Sequence, residues 1–420
     1  MVNVLIVGSG GREHAIGWKI DQSDKVDTVF YAPGNGGTEN NVSINVDDLE
    51  GLAKFASENN CFTIVGPEAP LAMGIVDLFN QKGLNIFGPT KNAAQLESSK
   101  IWAKQFMKRN NIPTAEFDVF TDSASAKEYV NRIEYDVVVK ADGLAAGKGV
   151  IVCNSKDDAE KAIDMMLVDK KFGSAGDSIL IEERINGTEA SYIALADGKI
   201  AIPMATSQDH KRIFDNDRGP NTGGMGAYSP TPIIDDKISK KIQEKIIDKT
   251  ISALANEGIT FKGFLYAGIM IKDDEPYVLE YNVRMGDPEC QPILLRMESD
   301  LLQYLIASVD EELIKLPPVS WKDKSAVCVV LAANGYPESY QKNEEISGTE
   351  KIFDDAYIFH AGTQKHKGKI LTNGGRVLGV TAIGDTLESA ISNAYHVVEE
   401  ITWTNKYYRT DIGKKGLNFT

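Results

Sequence analysis

The sequence predicts a multidomain protein that combines α/β and α+β architecture. Its first hundred residues alternate apolar strands with amphipathic helices, which is typical of a doubly wound α/β domain. The middle region contains two β-branched runs around a glycine-rich tip, and the last part contains short strands with one helix. The chain is long enough for roughly two to four domains. We expect an N-terminal α/β domain over residues 1–100, a central domain over 101–325 with a mobile β-rich lid at about 120–190, and a small C-terminal α+β domain over 326–420.

The composition indicates a globular protein with an acidic surface. The chain has 45 Lys and Arg residues against 60 Asp and Glu residues, a formal charge of −15. This balance argues against nucleic-acid and anionic-membrane partners, so an anionic substrate would need a local basic pocket. The four cysteines are scattered and form no CxxC pair, which indicates neither a disulfide framework nor a zinc site. The apolar runs are too short for a signal peptide or a membrane span, so we expect a cytoplasmic protein.

The first glycine-rich turn lies in VNVLIVGSGGREHAIGWKI, between an apolar strand and an amphipathic helix. Gly10, Gly11 and Arg12 could bind a phosphate at the N-terminus of that helix, although a plain strand-to-helix turn explains the same pattern. A dinucleotide site is disfavoured because Glu13 stands where the fingerprint needs a small residue. The next strand, Thr28 to Tyr31, also ends without a carboxylate for a ribose.

A further strand, Phe62 to Val65, runs into the turn GPEAPL. Glu68 follows the C-terminal end of this strand, the edge at which open α/β sheets bind ligands. It could contact a sugar hydroxyl, or it could be an ordinary turn or capping carboxylate. The helical stretch Ala93 to Asn110 then forms the connection into the central domain.

The stretch VVVKADGLAAGKGVIV, from Val137 to Val152, predicts a β-hairpin with a glycine-rich tip. Glycine amides can point at phosphate oxygens, and Lys140 and Lys148 can neutralise the charge of the phosphate. The spacing differs from that of a Walker A loop, because three residues separate Gly143 from Gly147 and a strand follows the lysine. We therefore expect a flap that closes over phosphates, with a surface hairpin of solvated lysines as the alternative.

Two glutamates flank the connection between the next two strands, in SILIEERINGTEASYIALADG. Glu182 ends the first strand, and Glu189 begins the second. Extended backbone at such a connection can bind an adenine edge, and a nearby carboxylate can accept both ribose hydroxyls. Taken alone, however, exposed glutamates in a hairpin more often form a solvated face.

The strand Tyr277 to Arg284 places three polar side chains on one face. Side chains alternate across a strand, so Glu280, Asn282 and Arg284 lie together, opposite apolar neighbours. A carboxylate and an amide oxygen two residues apart are hard ligands that suit Mg²⁺ bound to nucleotide phosphates, and the arginine could clamp a carboxylate or phosphate. A solvent-facing polar row is the alternative, but the apolar runs around this strand favour an inward face. The preceding strand offers no carboxylate, so a second metal ion would depend on the same two ligands.

The segment Ser207 to Pro230 is rich in glycine and polar residues and predicts a long loop without strands or helices. Such loops are usually functional or disordered. The mix of cations and small residues favours an active-site loop that binds a terminal phosphate and a small substrate. The segment supplies Asp209, His210, Lys211 and Arg212, followed by the glycines Gly223, Gly224 and Gly226.

Nine motifs occur in order along essentially the whole chain. They are VGSGGREHA, GPEAPL, FGPT, VVKADGLAAGKGV, SQDHKR, GPNTGGMGAYSP, GDPECQP, GGRVLGVTA and YRTDIG. Together they resemble the phosphoribosylamine–glycine ligase family of ATP-grasp enzymes, which act in purine synthesis. The resemblance implies an ATP-grasp core, the substrates glycine and 5-phosphoribosylamine, and ATP with Mg²⁺ or Mn²⁺. In that family the glycine carboxylate attacks the γ-phosphate, and the amine then displaces phosphate to give glycinamide ribonucleotide.

The resemblance also implies roles for individual residues. The nucleotide would be bound by Lys104, Lys140, Gly143, Gly147, Lys148, Glu182, Glu183, Ile185 and Glu189, with Glu182, Glu183 and Ile185 at the adenine and Glu189 at the ribose. Lys211 would meet the γ-phosphate, and Glu280 and Asn282 would bind the metal. Asp209 and Arg284 are candidates for holding glycine, and the ribose phosphate is assigned to Gly10, Gly11 and Arg12. Further substrate contacts are expected from Glu68, Asn221, Gly223 and Gly224.

The sequence departs from the family pattern at three positions. Tyr281 and Met285 stand where Phe is expected, and Cys290 stands where Thr is expected. All three changes conserve bulk. The alternatives are another ATP-grasp carboxylate–amine ligase and a nucleotide-binding regulator without turnover. We expect a monomer or a weak homodimer, and His360 fits a structural role better than a catalytic one.

Overall fold

The computed structural model describes residues 1–144 and 149–419. The N-terminal elements are β1 (Val2–Gly8), α1 (Gly11–Ile20), β2 (Val26–Pro33), α2 (Leu49–Glu58), β3 (Cys61–Val65), α3 (Glu68–Met73), α4 (Ile75–Gln81) and β4 (Ile86–Phe87). The strands form a parallel sheet in the order β2-β1-β3-β4. Leu5 of β1 packs on the side of α2 and α4, whereas Ile6 packs on the side of α1. Both faces of the sheet are covered, and the predicted doubly wound α/β fold is confirmed.

A second sheet builds the region predicted as the lid. The elements that follow in the chain are α5 (Gln95–Ser98), α6 (Lys100–Arg109), β5 (Phe117–Phe120), α7 (Ser123–Arg132), β6 (Val137–Ala141), β7 (Val150–Val152), α8 (Lys156–Ile163) and β8 (Ile179–Glu183). The strand order is β5-β8-β6-β7, and Lys140 pairs with Val150 across the predicted hairpin. Residues 145–148 of its tip lie outside the described residues. Strands β5 to β8 and helices α7 and α8 share a separate apolar core, centred on Val139, Ile163 and Ile181. The mobility of this lid stays a prediction.

The central sheet lies between the lid and the C-terminal part in the chain. The elements are β9 (Thr188–Asp197), β10 (Ala201–Pro203), β11 (Gln208–Asp209), β12 (Arg212–Phe214), β13 (Arg218–Asn221), β14 (Gly226–Ser229), α9 (Asp236–Ile242), α10 (Asp248–Asn256), β15 (Lys262–Lys272), β16 (Glu275–Asn282), α11 (Cys290–Arg296) and α12 (Leu301–Val309). Four strands pair antiparallel in the order β10-β9-β15-β16. Successive residues of β9 face opposite apolar clusters, with Tyr192 on one side and Ile193 on the other. The inner strands are therefore buried on both faces.

The C-terminal part forms a fourth large sheet with one long helix. Its elements are β17 (Ser325–Ala333), β18 (Glu345–Ile346), β19 (Ala356–His360), β20 (Thr363–His366), β21 (Lys369–Thr372), β22 (Arg376–Gly384), α13 (Leu387–Glu400), β23 (Lys406–Tyr407) and α14 (Lys414–Leu417). The main sheet has the order β11-β14-β17-β22-β19 with β23 beside β17, and β18-β21-β20 form a small sheet. Helix α13 packs on the main sheet through Ala390, Ala394 and Val398. The predicted α+β architecture of this region is confirmed.

The segment 207–230 contains strands, so the prediction of a loop without secondary structure was wrong. Strand β12 pairs with β13, and β14 lies between β11 and β17. Gly226 allows this close approach, because a Cβ atom there would come within 2.6 Å of the Cys328 carbonyl oxygen. Strand β14 pairs with β11 on one side and with β17, far along the chain, on the other, so tertiary pairing outweighs the low β-propensity of the segment.

The four cysteines, Cys61, Cys153, Cys290 and Cys328, are free and buried, as expected for core thiols. Burial raises the pKa of Cys61 and Cys153 to about 11, so both remain thiols at neutral pH. Among the helices of residues 1–144 and 149–419, none has both the length and the apolar character needed to cross a membrane.

The N-terminal and C-terminal parts meet around two buried histidines. His14, on α1, accepts a hydrogen bond at Nδ1 from the backbone N–H of His360, at 2.9 Å. Asn35 joins this contact, since its Nδ2 donates to the carbonyl oxygens of Ser9 and His360. Burial lowers the pKa of His14 to about 3 and the pKa of His360 to about 4. Both imidazoles are therefore neutral at physiological pH, which fits the structural role expected for His360.

From the two buried histidines of this interface, we predict that the free energy of unfolding decreases as the pH falls below about 6.5. The unfolded chain binds protons at the ordinary histidine pKa, whereas the folded chain resists protonation down to a pKa of about 4 at His360 and about 3 at His14. Protonation therefore favours unfolding over this interval, by on the order of 2 kcal/mol per buried histidine between pH 7 and pH 5. His14→Asn keeps an acceptor for the His360 N–H and should flatten the pH dependence of urea unfolding.

His366→Gln is the matched control, because the His366 side chain is exposed. This variant should keep the wild-type dependence of the unfolding free energy on pH. The same dependence in His14→Asn as in the wild type would contradict the interpretation.

Candidate functional site

A cavity of about 1030 Å³ lies between the lid and the central sheet, and residues of the N-terminal and C-terminal parts also line it. It brings together side chains that are far apart in the sequence and that come from most of the predicted groups. The predicted residues on its wall are Arg12, Glu68, Lys104, Lys140, Glu182, Glu183, Ile185, Glu189, Asp209, Lys211, Asn221, Gly223, Glu280, Asn282 and Arg284.

Several predicted residues are not on this wall. Within the described part of the chain they are Gly10, Gly11, Gly143 and Gly224, and two more, Gly147 and Lys148, lie outside the described residues. The Gly10 amide donates to Oε2 of Glu13 at 2.6 Å, so an internal carboxylate occupies the donor that was expected to bind a phosphate. Gly143 adopts a φ of +89°, a left-handed conformation that favours glycine, and its carbonyl accepts from Lys100 Nζ at 2.8 Å.

A buried carboxylate holds the two lysines of the upper wall. Lys104, from α6, and Lys140, from β6, each lie 2.9 Å from a different carboxylate oxygen of Glu182 on β8. Lys104 also donates to Thr114 Oγ1 at 2.6 Å, and Lys140 donates to the Leu279 carbonyl at 3.2 Å. Burial lowers the pKa of Lys104 to about 8, against the attraction of Glu182. The three side chains therefore form one rigid unit that joins the helix, the hairpin and the next strand.

This unit changes the role expected for Glu182. Its carboxylate is engaged by two lysines, so the side chain is not available to a nucleotide. Its backbone lies between β5 and β6, where it pairs with Phe117 on one side and Val138 on the other. The chain leaves the sheet after Glu183, and Ile185 on the cavity wall belongs to the connection that precedes β9. Backbone groups of that connection are the ones that a ligand could reach.

The lower wall carries Lys211 between two acidic side chains. Its ammonium group contacts the Glu189 carboxylate directly and lies 3.9 Å from Oε1 of Glu280. Burial would lower the pKa of Lys211, but the attraction of Glu189, Asp209 and Glu280 outweighs it and raises that pKa. Lys211 is therefore a permanent cation, and Glu189 is already engaged at the position expected to contact a ribose.

Glu280 and Asn282 lie on the cavity wall, as the alternation along β16 predicted. Gly268 pairs with Glu280 across the sheet and leaves room for its side chain, since a Cβ atom on the glycine would lie 3.4 Å from Glu280 Cγ. Burial would raise the pKa of Glu280, but Lys211, Lys140 and further cations outweigh it and lower that pKa. The carboxylate is thus ionised, and Asn282 lies on the same wall, where its amide oxygen accepts from Arg284 NH2 at 2.9 Å.

These two oxygen donors fit a hard divalent cation that is bound together with phosphates. Among residues 1–144 and 149–419, no group of three or more His, Cys, Asp or Glu side chains could hold a metal ion. If Glu280 and Asn282 bind Mg²⁺, phosphate oxygens or water would complete its coordination.

Arg284 is held between two acids, one of which sequence reasoning missed. Its NH2 lies 2.8 Å from Oε1 of Glu97, and its Nε lies 3.3 Å from Oε2 of Glu68. Burial raises the pKa of Glu97 to about 7, against the attraction of Arg284. Glu97 also accepts from the Val283 N–H at 2.7 Å. It lies on the short helix α5, where no local pattern distinguishes it from a surface glutamate.

A second acidic group lies deeper in the cavity. Glu289 accepts hydrogen bonds from Tyr266 Oη at 2.6 Å and from Ser191 Oγ at 3.2 Å. Burial raises the pKa of Asp209 above its usual range, opposed by Lys211 and reinforced by Glu289 and Glu189. The predicted role of Asp209 did not include this neighbour, although the motif GDPECQP contains Glu289 and signalled it.

The C-terminal part contributes Arg376 to the cavity wall, in an ion pair that sequence reasoning also missed. Arg376 NH2 lies 2.8 Å from Oδ2 of Asp287, and Arg376 NH1 donates to the Gly223 carbonyl at 2.6 Å. Both side chains line the cavity. Arg376 lies in the family motif GGRVLGVTA, and Asp287 lies in the family motif GDPECQP. The motifs therefore indicated both residues, although the sequence assigned neither of them a role.

Three family models match the chain in order. The N domain of phosphoribosylglycinamide synthetase matches residues 2–97, the ATP-grasp (A) domain matches residues 98–290, and the C domain matches residues 326–415. A phosphoribosylamine–glycine ligase of Vibrio parahaemolyticus is 50% identical over 424 residues, which cover 99% of this chain and 99% of that protein. One of Pseudomonas aeruginosa is 50% identical over 423 residues, which cover 99% of this chain and 98% of that protein.

Solved structures agree with these matches. The crystal structure of phosphoribosylamine–glycine ligase from Thermotoga maritima has a TM-score of 0.86 at 36% identity, covering 98% of this chain and 100% of that chain. A biotin carboxylase from Campylobacter jejuni has a TM-score of 0.72 at 16% identity, covering 97% of this chain and 92% of that chain, and shows a likeness of fold alone. The chain therefore belongs to the phosphoribosylglycinamide synthetase family of ATP-grasp enzymes, whose members are also named phosphoribosylamine–glycine ligases.

Proposed function

We propose that the protein joins glycine to 5-phosphoribosylamine with ATP, giving glycinamide ribonucleotide, ADP and phosphate. The observation that carries this proposal is the cavity wall on which an ionised Glu280 and Asn282 lie in one space with Lys104, Lys140 and Lys211. Phosphoryl transfer needs charge neutralisation and fixed positions more than acid–base catalysis. This wall supplies donors in fixed positions, and a metal ion held by Glu280 and Asn282 would supply the remaining positive charge. Membership of the family over essentially the whole chain supports the same reaction.

We assign ATP to the part of the cavity between the lid and the central sheet. The ammonium groups of Lys104 and Lys140 are fixed by Glu182 and would face the α- and β-phosphates. The connection that contains Ile185 would contact the adenine, and Lys211 would contact the γ-phosphate. Mg²⁺ or Mn²⁺ bound between the nucleotide and the protein would neutralise charge on the transferred phosphoryl group.

We assign glycine to the space between Arg284 and Asp209. The guanidinium of Arg284 would bind the glycine carboxylate and aim one of its oxygens at the γ-phosphorus. Asp209 would accept from the glycine ammonium group. Its raised pKa supports this role, because a buried carboxyl group that lacks a full cationic partner gains one when the ammonium group arrives.

We assign 5-phosphoribosylamine to the side of the cavity lined by Arg12, Glu68 and Asn221. Arg12 is a buried cation whose Nε donates to Oε1 of Glu13 at 2.6 Å. Binding of the 5′-phosphate by Gly10 and Gly11 would require the Glu13 carboxylate to leave the Gly10 amide. The phosphate contact proposed here therefore centres on Arg12, with the two glycine amides as further donors.

The lid has a second role in this proposal. An acyl phosphate is lost to hydrolysis unless water is kept away from it, and a hairpin that closes over the nucleotide would exclude water. The glycine-rich tip, including Gly147 and Lys148, would complete the phosphate contacts of Lys140. The domain limits at about residues 100 and 325, a cytoplasmic location and a monomer or weak homodimer stay predictions.

The proposed reaction predicts that phosphate is released from ATP only when glycine and 5-phosphoribosylamine are both present. Steady-state phosphate release with each substrate omitted in turn checks this, and mass spectrometry should show glycinamide ribonucleotide. Turnover with a different carboxylate or amine in place of these substrates would favour another ATP-grasp ligase. Nucleotide binding without turnover would favour a regulator.

Glu280→Ala should lower kcat by about 100-fold or more, because it removes the carboxylate assigned to the metal. The fold should remain intact, and the affinity for Mn²⁺ in the presence of an ATP analogue, measured by calorimetry, should fall with kcat. Glu275→Ala is the matched control, since Glu275 lies on the same strand and pairs with Lys241 and Lys245 at the surface. Near-normal kcat in Glu280→Ala would refute the metal assignment.

Glu182→Gln should destabilise the protein by about 3 kcal/mol at pH 7, because it leaves two buried ammonium groups without their shared carboxylate. The penalty should shrink at pH 9, because the pKa of Lys104 is already lowered to about 8 in the wild-type protein. Urea unfolding at both pH values measures the change.

Glu183→Gln is the control for this variant, since Glu183 is the next residue of the same strand and is only half-buried. The control should change the unfolding free energy by no more than about 0.5 kcal/mol. Equal changes in the unfolding free energy of the two variants would contradict the proposal that Glu182 stabilises the two buried lysines.

A further inference from the structure

The C-terminal tail, residues 406–415, is bonded to the hairpin formed by β12 and β13, which carries part of the cavity wall. Arg409 NH1 donates to the Arg212 carbonyl at 3.0 Å, and Tyr407 Oη donates to the Ile213 carbonyl at 2.8 Å. At the turn of the hairpin, the backbone N–H of Asn216 donates to Oδ2 of Asp411, in the tail, at 2.9 Å. The last residues of the chain thus fix a hairpin that lies far earlier in the sequence.

Arg409 is the centre of this contact. Its side chain is 0% exposed, and its Nε and NH2 each donate to one carboxylate oxygen of Asp411 at 2.7 Å. NH1 lies 3.0 Å from Oδ1 of Asp217, on the hairpin, in addition to its bond with the Arg212 carbonyl. A planar guanidinium can satisfy this set of acceptors at once, whereas an ammonium group cannot.

The tail contacts the residues on both sides of Lys211. On one side, the neutral ring of His210 accepts at Nε2 from the Gly413 N–H at 3.4 Å, and burial lowers the pKa of this ring to about 3. On the other side, the Arg212 carbonyl accepts from Arg409. Contacts from the end of the chain therefore flank Lys211, whose own carbonyl accepts from the N–H and the Oγ1 of Thr222, both at 2.8 Å.

The contacts of Lys211 are sensitive to the position of its backbone. Its side chain is long, 32% exposed, and placed between the carboxylates of Glu189 and Glu280. A small shift of its backbone would change which carboxylate it meets and how far it reaches into the cavity. Misplacement of a contact group by about 1 Å can reduce activity strongly, because binding and transfer depend on fixed geometry.

We propose that Arg409 is a positioning residue for the nucleotide reaction, and that it acts by fixing the hairpin that presents Lys211 to the terminal phosphate. This inference rests on the role proposed above for Lys211. Arg409 acts only through the hairpin and touches neither the nucleotide nor the reacting atoms. The C-terminal tail is thereby part of the nucleotide-binding machinery.

The test is a double-mutant cycle on the affinity for a non-hydrolysable ATP analogue with Mg²⁺, measured by calorimetry. Arg409→Lys keeps the charge but loses the paired bonds to Asp411. We expect it to weaken binding by about fivefold in the wild-type background and by less than about twofold in a Lys211→Met background. Lys211→Met alone should weaken binding by about tenfold.

Lys406→Met is the matched control. Lys406 Nζ donates to the Val398 and Ile401 carbonyls, so it ties the same tail to α13 rather than to the hairpin. This variant should lower the unfolding temperature without changing the affinity for the analogue. If Arg409→Lys fails to fold, Asp411→Asn replaces it in the cycle, because it removes the same pair from its more exposed member.

The outcomes separate the inference from the proposed function. Equal weakening by Arg409→Lys in both backgrounds, or no weakening in either, would overturn the positioning role. Unchanged affinity in Lys211→Met would instead overturn the assignment of Lys211 to the terminal phosphate, whatever the tail variants do. Weakening by Lys406→Met equal to that by Arg409→Lys would show that the tail acts only on general stability and would also overturn the inference.

Discussion

The site depends on one constraint: the cations that we assign to phosphate binding are held in place by carboxylates inside an acidic protein. With a formal charge of −15, the chain has no general positive field, so positive charge must be created locally. Burying an unpaired ammonium or guanidinium group costs several kcal/mol, and pairing avoids this cost. The pairs around the cavity are Lys104 and Lys140 with Glu182, Lys211 with Glu189, Arg284 with Glu97, and Arg376 with Asp287.

This arrangement makes the part of the wall to which we assign ATP close to neutral. Four lysines, Lys100, Lys104, Lys140 and Lys211, share it with four glutamates, Glu182, Glu183, Glu189 and Glu280. A bound triphosphate would therefore meet donors in fixed positions but little net positive charge. A divalent cation at Glu280 and Asn282 would supply the missing charge, which explains why a ligand set as small as two oxygens is useful here. Preorganisation and neutralisation are thus supplied by different components of the site.

The parts of the site that could be predicted from sequence are those that depend on local patterns. The hairpin around Lys140 follows from β-branched runs and glycines, and the shared face of Glu280, Asn282 and Arg284 follows from the two-residue period of a strand. The family resemblance extended these observations to the reaction. The N-terminal turn could have been read further, because Glu13 stands three residues after Gly10, the spacing of a carboxylate that binds back to a helix start.

The rest depends on contacts between segments that are distant in the chain. Glu182 looks like an exposed hairpin glutamate until Lys104 and Lys140 are brought to it by two different elements. The role of Glu97 becomes apparent only from its ion pair with Arg284. Strand β14 cannot be predicted from its glycine-rich sequence, because β17, one of the strands that it pairs with, lies far along the chain. Pairings of this kind have no signature in a single sequence, since propensity describes only a residue and its neighbours.

The position of β14 between β11 and β17 has a consequence for synthesis of the chain. Translation reaches the segment 208–229 well before β17, so one edge of β14 stays unpaired until β17, at residues 325–333, has left the ribosome. The nascent chain can complete its first sheet early, but the pocket is finished only when the final strands and the tail arrive.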